Sequence, residues 1–189
     1  MPNFTKNAIK ASFMKLLNEM PLNRISVRCI VEDCGINRNS FYYHYQDIPS
    51  LIEEIVKEDI DRLIAEYPTI DTMGECVRVA FKFALENRRA VFHIFNSVNR
   101  DIYEKYMMKL CEYVVETYID TAFEHDTVSE YDRRLIVRFF KCEVFGLFLD
   151  WVSGGMRDDA IDEVYHMIDV CSGLSGEIIR RLREKENAT

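Results

Sequence analysis

Apolar residues recur at helical spacing along nearly the whole chain, in runs that few prolines or glycines interrupt. Only four prolines and seven glycines occur in 189 residues. The pattern therefore predicts an all-α protein of about nine helices. The expected ranges are 4–19, 27–34, 38–45, 47–66, 71–86, 88–97, 100–124, 129–152 and, as one continuous helix, 158–185.

The second and third of these helices are short and meet at a single glycine. Ser26 precedes the first of them and suits a helix N-cap, and Asn37 is a second N-cap candidate. Gly35 lies between them, where a helix end often takes a left-handed conformation that glycine adopts without penalty. This layout predicts a helix-turn-helix, in which the first turn of the second helix faces DNA base edges. An ordinary helical hairpin is the alternative.

The flanking residues favour the helix-turn-helix. Phe41 and Tyr45 are four residues apart and are expected to be buried together, which leaves Arg38, Tyr42 and Tyr43 exposed. A further helix then begins near Asp47, a plausible cap. That helix, 47–66, is the one evident link between the first residues and the rest of the chain. A tilt of this link would let the rest of the chain move the DNA-binding helices.

Three segments closely resemble the TetR/AcrR family of one-component transcriptional repressors. They are Ile25-Ser26-Val27, Asp33-Cys34-Gly35-Ile36 and Phe41-Tyr42-Tyr43-His44-Tyr45, and the segment from Trp151 to Met156 resembles the family more weakly. The resemblance implies a helix-turn-helix domain over residues 1–46 and a helical effector-binding and dimerisation domain over 47–189. One departure is visible, because Ile48 stands where the family usually carries a phosphate-contacting lysine.

The resemblance also implies a function and a DNA-binding surface. It implies a repressor that binds a palindromic double-stranded operator as a homodimer and is released by a small molecule of unknown identity. Arg38, Asn39, Ser40 and Tyr43 would approach base edges, and Tyr42 and His44 would meet phosphates. Arg28, on the exposed side of the second helix, is expected to reach a base or a phosphate. A regulator that binds a protein partner instead of a metabolite is the alternative.

Charge is distributed unevenly along the chain. The net charge is −8, but residues 1–47 carry six Lys or Arg against four Asp or Glu, and the remainder carries 18 against 28. A basic end joined to an acidic one is expected when only one end meets phosphates. No stretch reaches the roughly 18 consecutive apolar residues of a membrane span, and residues 1–20 do not read as a signal peptide. We therefore expect a cytoplasmic protein without a membrane partner.

The helix expected at 129–152 carries the signal for self-association. Thirteen of the 18 residues from 135 to 152 are apolar, so this helix needs cover on two sides. An isologous four-helix interface with the last helix is the preferred interpretation, and a central helix buried in a monomer is the alternative. The expected interface residues are Phe145, Phe148, Trp151, Cys171, Leu174 and Ile178.

An effector site is expected among aromatic residues interspersed with polar ones, although such a set is also typical of plain core. The candidates are Phe92, His93, Phe95, Asn96, Tyr103, Met107, Phe140 and Glu143. The four histidines (44, 93, 125 and 166) lack metal-ligand spacing, so neither a metal site nor a cofactor is expected. Six dispersed cysteines read as reduced thiols, with a redox sensor left open. No catalytic signature appears, which argues against an enzyme.

Overall fold

The computed structural model describes residues 2–122, 129–171 and 173–186, and within them every regular element is helical. His125 and the last two residues of the helix expected at 100–124 lie outside this part. Helices α1 to α5 are Pro2–Glu19, Val27–Cys34, Arg38–His44, Ile48–Glu66 and Met73–Glu86; a 3-10 helix, Leu22–Arg24, follows α1. Helices α6 to α10 are Arg88–Phe95, Arg100–Ala122, Glu130–Ser153, Asp158–Val170 and Leu174–Glu186. The predicted all-α fold class is confirmed.

Two details of the helix prediction were wrong. The helix expected to run unbroken over 158–185 is two helices, because the chain turns at Gly173 with a left-handed φ of +88°. The cap of α5 is Thr72 and not Asp71: the Thr72 hydroxyl oxygen accepts from the Glu75 amide at 3.1 Å. The Glu75 carboxylate in turn accepts from the amide of Asp71, the residue before this cap, at 3.0 Å.

The chain forms two compact units. The first unit comprises residues 1–61 and 83–106, and the second comprises residues 62–82 and 107–189. The predicted boundary after residue 46 falls inside the first unit, so the division into domains at that residue stays a functional proposal. Helix 47–66 is not the sole connection that sequence suggested, because residues 83–106 belong to the same unit as the predicted DNA-binding helices.

Each unit has its own apolar core. Ile9, Phe13, Leu17, Ile30 and Phe41 are inaccessible to solvent in the first unit. In the second unit Phe81, Phe148 and Trp151 form a cluster whose ring centroids lie 5.2–6.3 Å apart. No helix in the described part of the chain is long and apolar enough to cross a bilayer. The same residues contain no group of His, Cys, Asp and Glu side chains that could hold a metal ion.

Candidate functional site

The turn between α2 and α3 is built by three local interactions that the sequence predicted. The Ser26 hydroxyl oxygen accepts from the Cys29 amide at 3.3 Å and caps α2. Gly35 ends α2 with φ +70° and ψ +29°, in the left-handed region. The Asn37 side-chain oxygen accepts from the Ser40 amide at 2.8 Å and caps α3. These contacts confirm the predicted positions of both caps and of the glycine.

Buried contacts fix α2 and α3 against α1. The Ser12 hydroxyl on α1 donates to the backbone carbonyl of Ile30 in α2 at 3.1 Å, and the serine is buried. Phe41 of α3 is fully buried beside Tyr45, with ring centroids 5.8 Å apart, as predicted. A buried polar group is costly unless it is hydrogen-bonded, so the Ser12 bond helps to define this packing.

The opposite face of α3 is open to solvent. Arg38 and Asn39 are exposed in its first turn, and no intramolecular hydrogen bond of either side chain occurs within the described residues. Tyr43 is 82% exposed and Tyr42 is 53% exposed, so both phenol rings are available to a ligand. This half of α3 presents polar and aromatic groups on a helix whose other half is locked into the core.

The remaining predicted DNA-binding residues are partly engaged. The Ser40 hydroxyl donates to the Asn37 side-chain oxygen at 3.2 Å. The half-buried His44 ring packs against Tyr43 in a T-shaped arrangement, with ring centroids 5.0 Å apart. Arg28 on α2 donates to the Glu32 carboxylate at 2.6 Å. This hydrogen bond and the charge of Glu32 raise the pKa of Arg28. Arg28 must therefore exchange Glu32 for another anion if it is to bind a phosphate.

Glu54 on α4 joins three helical segments of the first unit. Its carboxylate accepts from the Lys6 and Lys10 ammonium groups of α1 at 2.7 and 2.6 Å. It also accepts from the Tyr45 hydroxyl, just after α3, at 3.1 Å. Burial alone would raise the pKa of Glu54, but these hydrogen bonds and the Lys10 charge together lower it to about 2. The end of α3 is thus tied to α4 through a carboxylate that is ionised near neutral pH.

Three further contacts of the first unit involve residues 83–106. Glu53, next to Glu54 on α4, accepts from the Tyr106 hydroxyl at 2.8 Å and from the Lys105 ammonium at 3.2 Å. His93 on α6 approaches the Leu17 carbonyl, near the end of α1, through Nδ1 at 2.6 Å. A carbonyl can only accept, so Nδ1 carries the hydrogen. The end of α1 is therefore held by α6 and its beginning by α4.

A cavity of about 520 Å³ lies within the second unit, which is in the size range of small-molecule sites. Val77, Phe140 and Val144 supply buried apolar wall. Buried hydroxyls of Tyr118 and Ser175 also line it, and their oxygens lie 2.5 Å apart in a hydrogen bond. Four charged residues line the same cavity: Asp71, Arg78, Glu143 and Asp169.

The comparisons with known proteins decide the family. The family model of a TetR-type transcriptional regulator C-terminal region matches residues 71–171, more than half of the chain. The chain belongs to the TetR family of transcriptional regulators. A solved structure described as a dihydroxyacetone kinase operon activator, DhaS, superposes with a TM-score of 0.69 over 95% of this chain and 96% of that chain, at 17% identity. At that identity the likeness shows the fold alone. A search of curated proteins finds no significant match.

In this TetR-family chain the predicted effector residues are scattered. Phe92, His93, Phe95, Asn96 and Tyr103 belong to the first unit, and only Phe140 and Glu143 line the cavity of the second. Met107 is buried core of the second unit, and Phe95 and Tyr103 are buried in the first. Sequence reasoning missed the cavity residues before α5 and around the α9–α10 turn. The signal that could have found the latter is Gly173, which lies inside the helix expected over 158–185.

The predicted dimer residues fall into two groups. Phe148 and Trp151 are corrections: they are almost fully buried inside the protomer, where Trp151 also donates its indole N–H to the Arg157 carbonyl at 3.0 Å. They have no surface to offer a partner. The other residues, Phe145, Cys171, Leu174 and Ile178, keep exposed or half-exposed side chains.

The outward side of α8 is itself apolar. Leu135 and Phe139 are 44% and 53% exposed, Cys142 is exposed, and Phe145 and Leu149 are half-buried. These positions repeat every three or four residues, so they form one stripe along the helix. Sequence reasoning found that α8 needs cover on two sides but assigned two residues to the wrong side.

Proposed function

We propose that this TetR-family regulator is a repressor that binds a palindromic operator as a homodimer and leaves it when a small molecule occupies the cavity of the second unit. One observation carries the DNA-binding part. The first turn of α3 projects unpaired polar side chains into solvent. The helix itself is held rigidly by its N-cap, by the glycine turn before it and by a buried aromatic pair. Preorganised side chains on a short helix suit readout of the major groove.

We assign the contacts by the chemistry of each side chain. We place Arg38, Asn39, Ser40 and Tyr43 at base edges. Arginine can form two hydrogen bonds with guanine, and asparagine can form two with adenine. Tyr42 and His44 donate to phosphates, and Arg28 does so by exchanging its Glu32 partner. Ile48 begins α4 and brings no charge, so anchoring of the operator backbone falls to these residues.

Arg38→Ala is expected to relax specificity at one operator position. Loss of a base contact should cost about 1–3 kcal/mol for the preferred base pair there and much less for the others. Tyr42→Phe, which removes a phosphate donor, should instead weaken all duplexes alike. Fluorescence anisotropy with a set of single-position operator variants measures both effects.

Two controls sharpen that experiment. Arg38→Lys keeps the charge but not the planar fork, so it should lose discrimination while it retains most of the salt dependence. Lys109→Ala removes an exposed cation on α7 of the second unit and should change neither. Equal weakening of every operator variant by Arg38→Ala would contradict the base-reading role.

We propose that the homodimer forms through the outward stripe of α8 and the exposed side of α10, which carries Leu174 and Ile178. Phe139 and Leu174 also line the cavity of the second unit, so the proposed interface borders that cavity. An apolar stripe of this length favours a covered surface over a solvated one. A homodimer that binds a palindrome needs its two copies of α3 about 34–36 Å apart, the spacing of successive major grooves.

Cys142→Arg is expected to shift the protein toward monomer and to weaken binding to a two-half-site duplex. Cys142 is exposed in the protomer, so a charged side chain there spares the fold but is buried unpaired at the proposed interface. Sedimentation velocity at several concentrations gives the result. Thr121→Arg, exposed on α7, serves as the control. A Cys142→Arg protein that remains dimeric at the wild-type concentration would rule out this interface.

For coupling, we propose that α4 transmits the state of the second unit to α3. Helix α4 runs by chain continuity from the first unit into residues 62–66 of the second. Glu53 on α4 accepts a hydrogen bond from α7, and Glu54 contacts both α1 and the Tyr45 hydroxyl. A ligand that binds more tightly when α4 takes a different position must lower the affinity for DNA by the ratio of its own affinities for the two states. Bound DNA must lower the affinity for the ligand by the same factor.

Two features support a second candidate function. In it, the second unit binds a protein partner instead of a small molecule, or the regulator activates transcription. Val170 and Met167 on α9 are 71% and 40% exposed in an acidic unit, a surface that a protein could cover. The structural neighbour DhaS is described as an activator. A reporter gene under the recovered operator distinguishes repression from activation, because deletion of a repressor raises expression and deletion of an activator lowers it.

A further inference from the structure

We propose that the cavity of the second unit takes a cationic amphiphile, a molecule with an apolar body and a single positive charge. This inference rests on the proposed function, because it names the ligand class of the proposed effector site. It follows from what the walls of the cavity are made of and from where their charges lie.

The inner walls select for an apolar body. Val77, Phe140 and Val144 are each no more than 5% exposed, and Leu147 and Ile168 add half-buried aliphatic surface. Burial of a ligand's hydrocarbon against such walls is favourable in proportion to the area removed from water. A fully polar ligand would leave these walls poorly covered.

The charged residues of the cavity are predominantly acidic. Asp71, Glu143 and Asp169 contribute three carboxylates against the single guanidinium of Arg78. All four are exposed, and none of the three carboxylates forms an ion pair within the described residues. Some other acids of this unit are paired, for example Glu112 with Lys141 at 2.7 Å. The cavity therefore has surplus negative charge that a cation would neutralise.

The unit as a whole adds to this bias. Residues 62–82 and 107–189 contain 13 Lys or Arg and 20 Asp or Glu, a net charge of −7. A field of one sign raises the local concentration of oppositely charged ligands and speeds their association. An anionic ligand would meet repulsion from both the rim carboxylates and the surrounding surface.

The buried polar groups fix the ligand's orientation. Tyr118 and Ser175 are 7% and 5% exposed, and their hydroxyls hydrogen-bond to each other without any charge. No buried carboxylate lines the cavity, because the three acids are all exposed. The apolar or neutral end of the ligand therefore enters first, and its cation stays at the exposed carboxylates.

Three ten-carbon probes of different charge test the proposal on the full-length protein: decyltrimethylammonium, decanoate and 1-decanol, each below its aggregation threshold. Isothermal titration calorimetry should show the cation binding about tenfold more tightly than either of the others, the order expected for three partly screened charge pairs. Added salt should narrow this difference. Fluorescence anisotropy with operator DNA, with and without the cation, supplies a second readout.

Opposite charge changes at the cavity should have opposite effects. Glu143→Gln should weaken binding of the cation several-fold and leave that of decanol unchanged, whereas Arg78→Gln should strengthen binding of the cation. Asp150→Asn is the matched control, since Asp150 is an exposed acid of α8 that does not line the cavity. Because the two test variants move in opposite directions, a general loss of folding cannot imitate the result.

The outcomes separate this proposal from the proposed function. Equal affinity for all three probes, or tighter binding of decanoate, would overturn the cationic class while the cavity remained an effector site. No binding of any probe would overturn both the ligand class and the site. If the cation binds as expected but operator affinity does not change, the ligand class stands and release by that ligand fails.

Discussion

Gly35→Val is expected to destabilise the protein by about 2 kcal/mol and to abolish specific DNA binding. Gly35 has φ +70°, where a β-branched residue is strained. A Cβ atom at this position would meet nothing within 4 Å, so the cost arises from backbone conformation and not from a clash. Relief of the strain would swing α3 away from its packing on α1. Thermal unfolding and operator anisotropy measure the two effects.

Gly35→Asn is the matched control for that result. Asparagine tolerates the left-handed region better than other non-glycine residues, so its loss of stability should be clearly smaller and its DNA binding largely retained. A Gly35→Val protein with the wild-type melting temperature and full operator affinity would show that the turn does not position α3.

Glu54→Gln is expected to lower the free energy of unfolding by about 1–2 kcal/mol near neutral pH and to weaken operator binding. The amide keeps the shape but loses the charge that Lys6, Lys10 and the Tyr45 hydroxyl all contact. These contacts tie α1 and the end of α3 to α4, so their loss should loosen the placement of α3. Chemical denaturation and operator anisotropy are the measurements.

The pH dependence gives an independent test of Glu54. Its pKa is about 2 in the folded protein against an ordinary value of 4.5, so the folded state favours the carboxylate. The contribution to stability is therefore present above about pH 4.5 and is lost as pH falls toward 2. The difference in stability between wild type and Glu54→Gln should shrink through this window.

Glu58→Gln provides the comparison. Glu58 contacts Lys10 at 2.6 Å but is 50% exposed, and Glu54 remains to pair with the same lysine. Its effect on stability should be a few tenths of a kcal/mol. Equal stability of wild type and Glu54→Gln from neutral pH down to about pH 4.5 would remove the proposed tie between α3 and α4.

The features that sequence predicted well are those determined within a few residues. Ser26 and Asn37 accept from amides three positions away, and Gly35 acts through its own backbone, so residue type and spacing were sufficient. The burial of Phe41 with Tyr45 follows from their separation of four on one helix. The exposed face of α3 is the complement of that pair.

The features that sequence missed depend on distant partners. Glu54 meets Lys6 across 48 positions and His93 meets Leu17 across 76, and no local pattern announces either contact. The spacing of aromatic residues along α6 and α7 indicated that they face an apolar core, but it did not indicate the core of which unit. Five predicted effector residues therefore lie in the first unit. On α8 both sides are apolar, which left Phe148 and Trp151 equally suited to core and interface.

The central claim is that α3 reads duplex DNA, and selection of bound duplexes from a randomised pool tests it most directly. The wild-type protein should enrich an inverted repeat whose half-sites lie about one helical turn apart, and added salt should weaken its binding to that duplex. Failure to enrich any sequence, together with no binding to double-stranded oligonucleotides at low ionic strength, would contradict the claim.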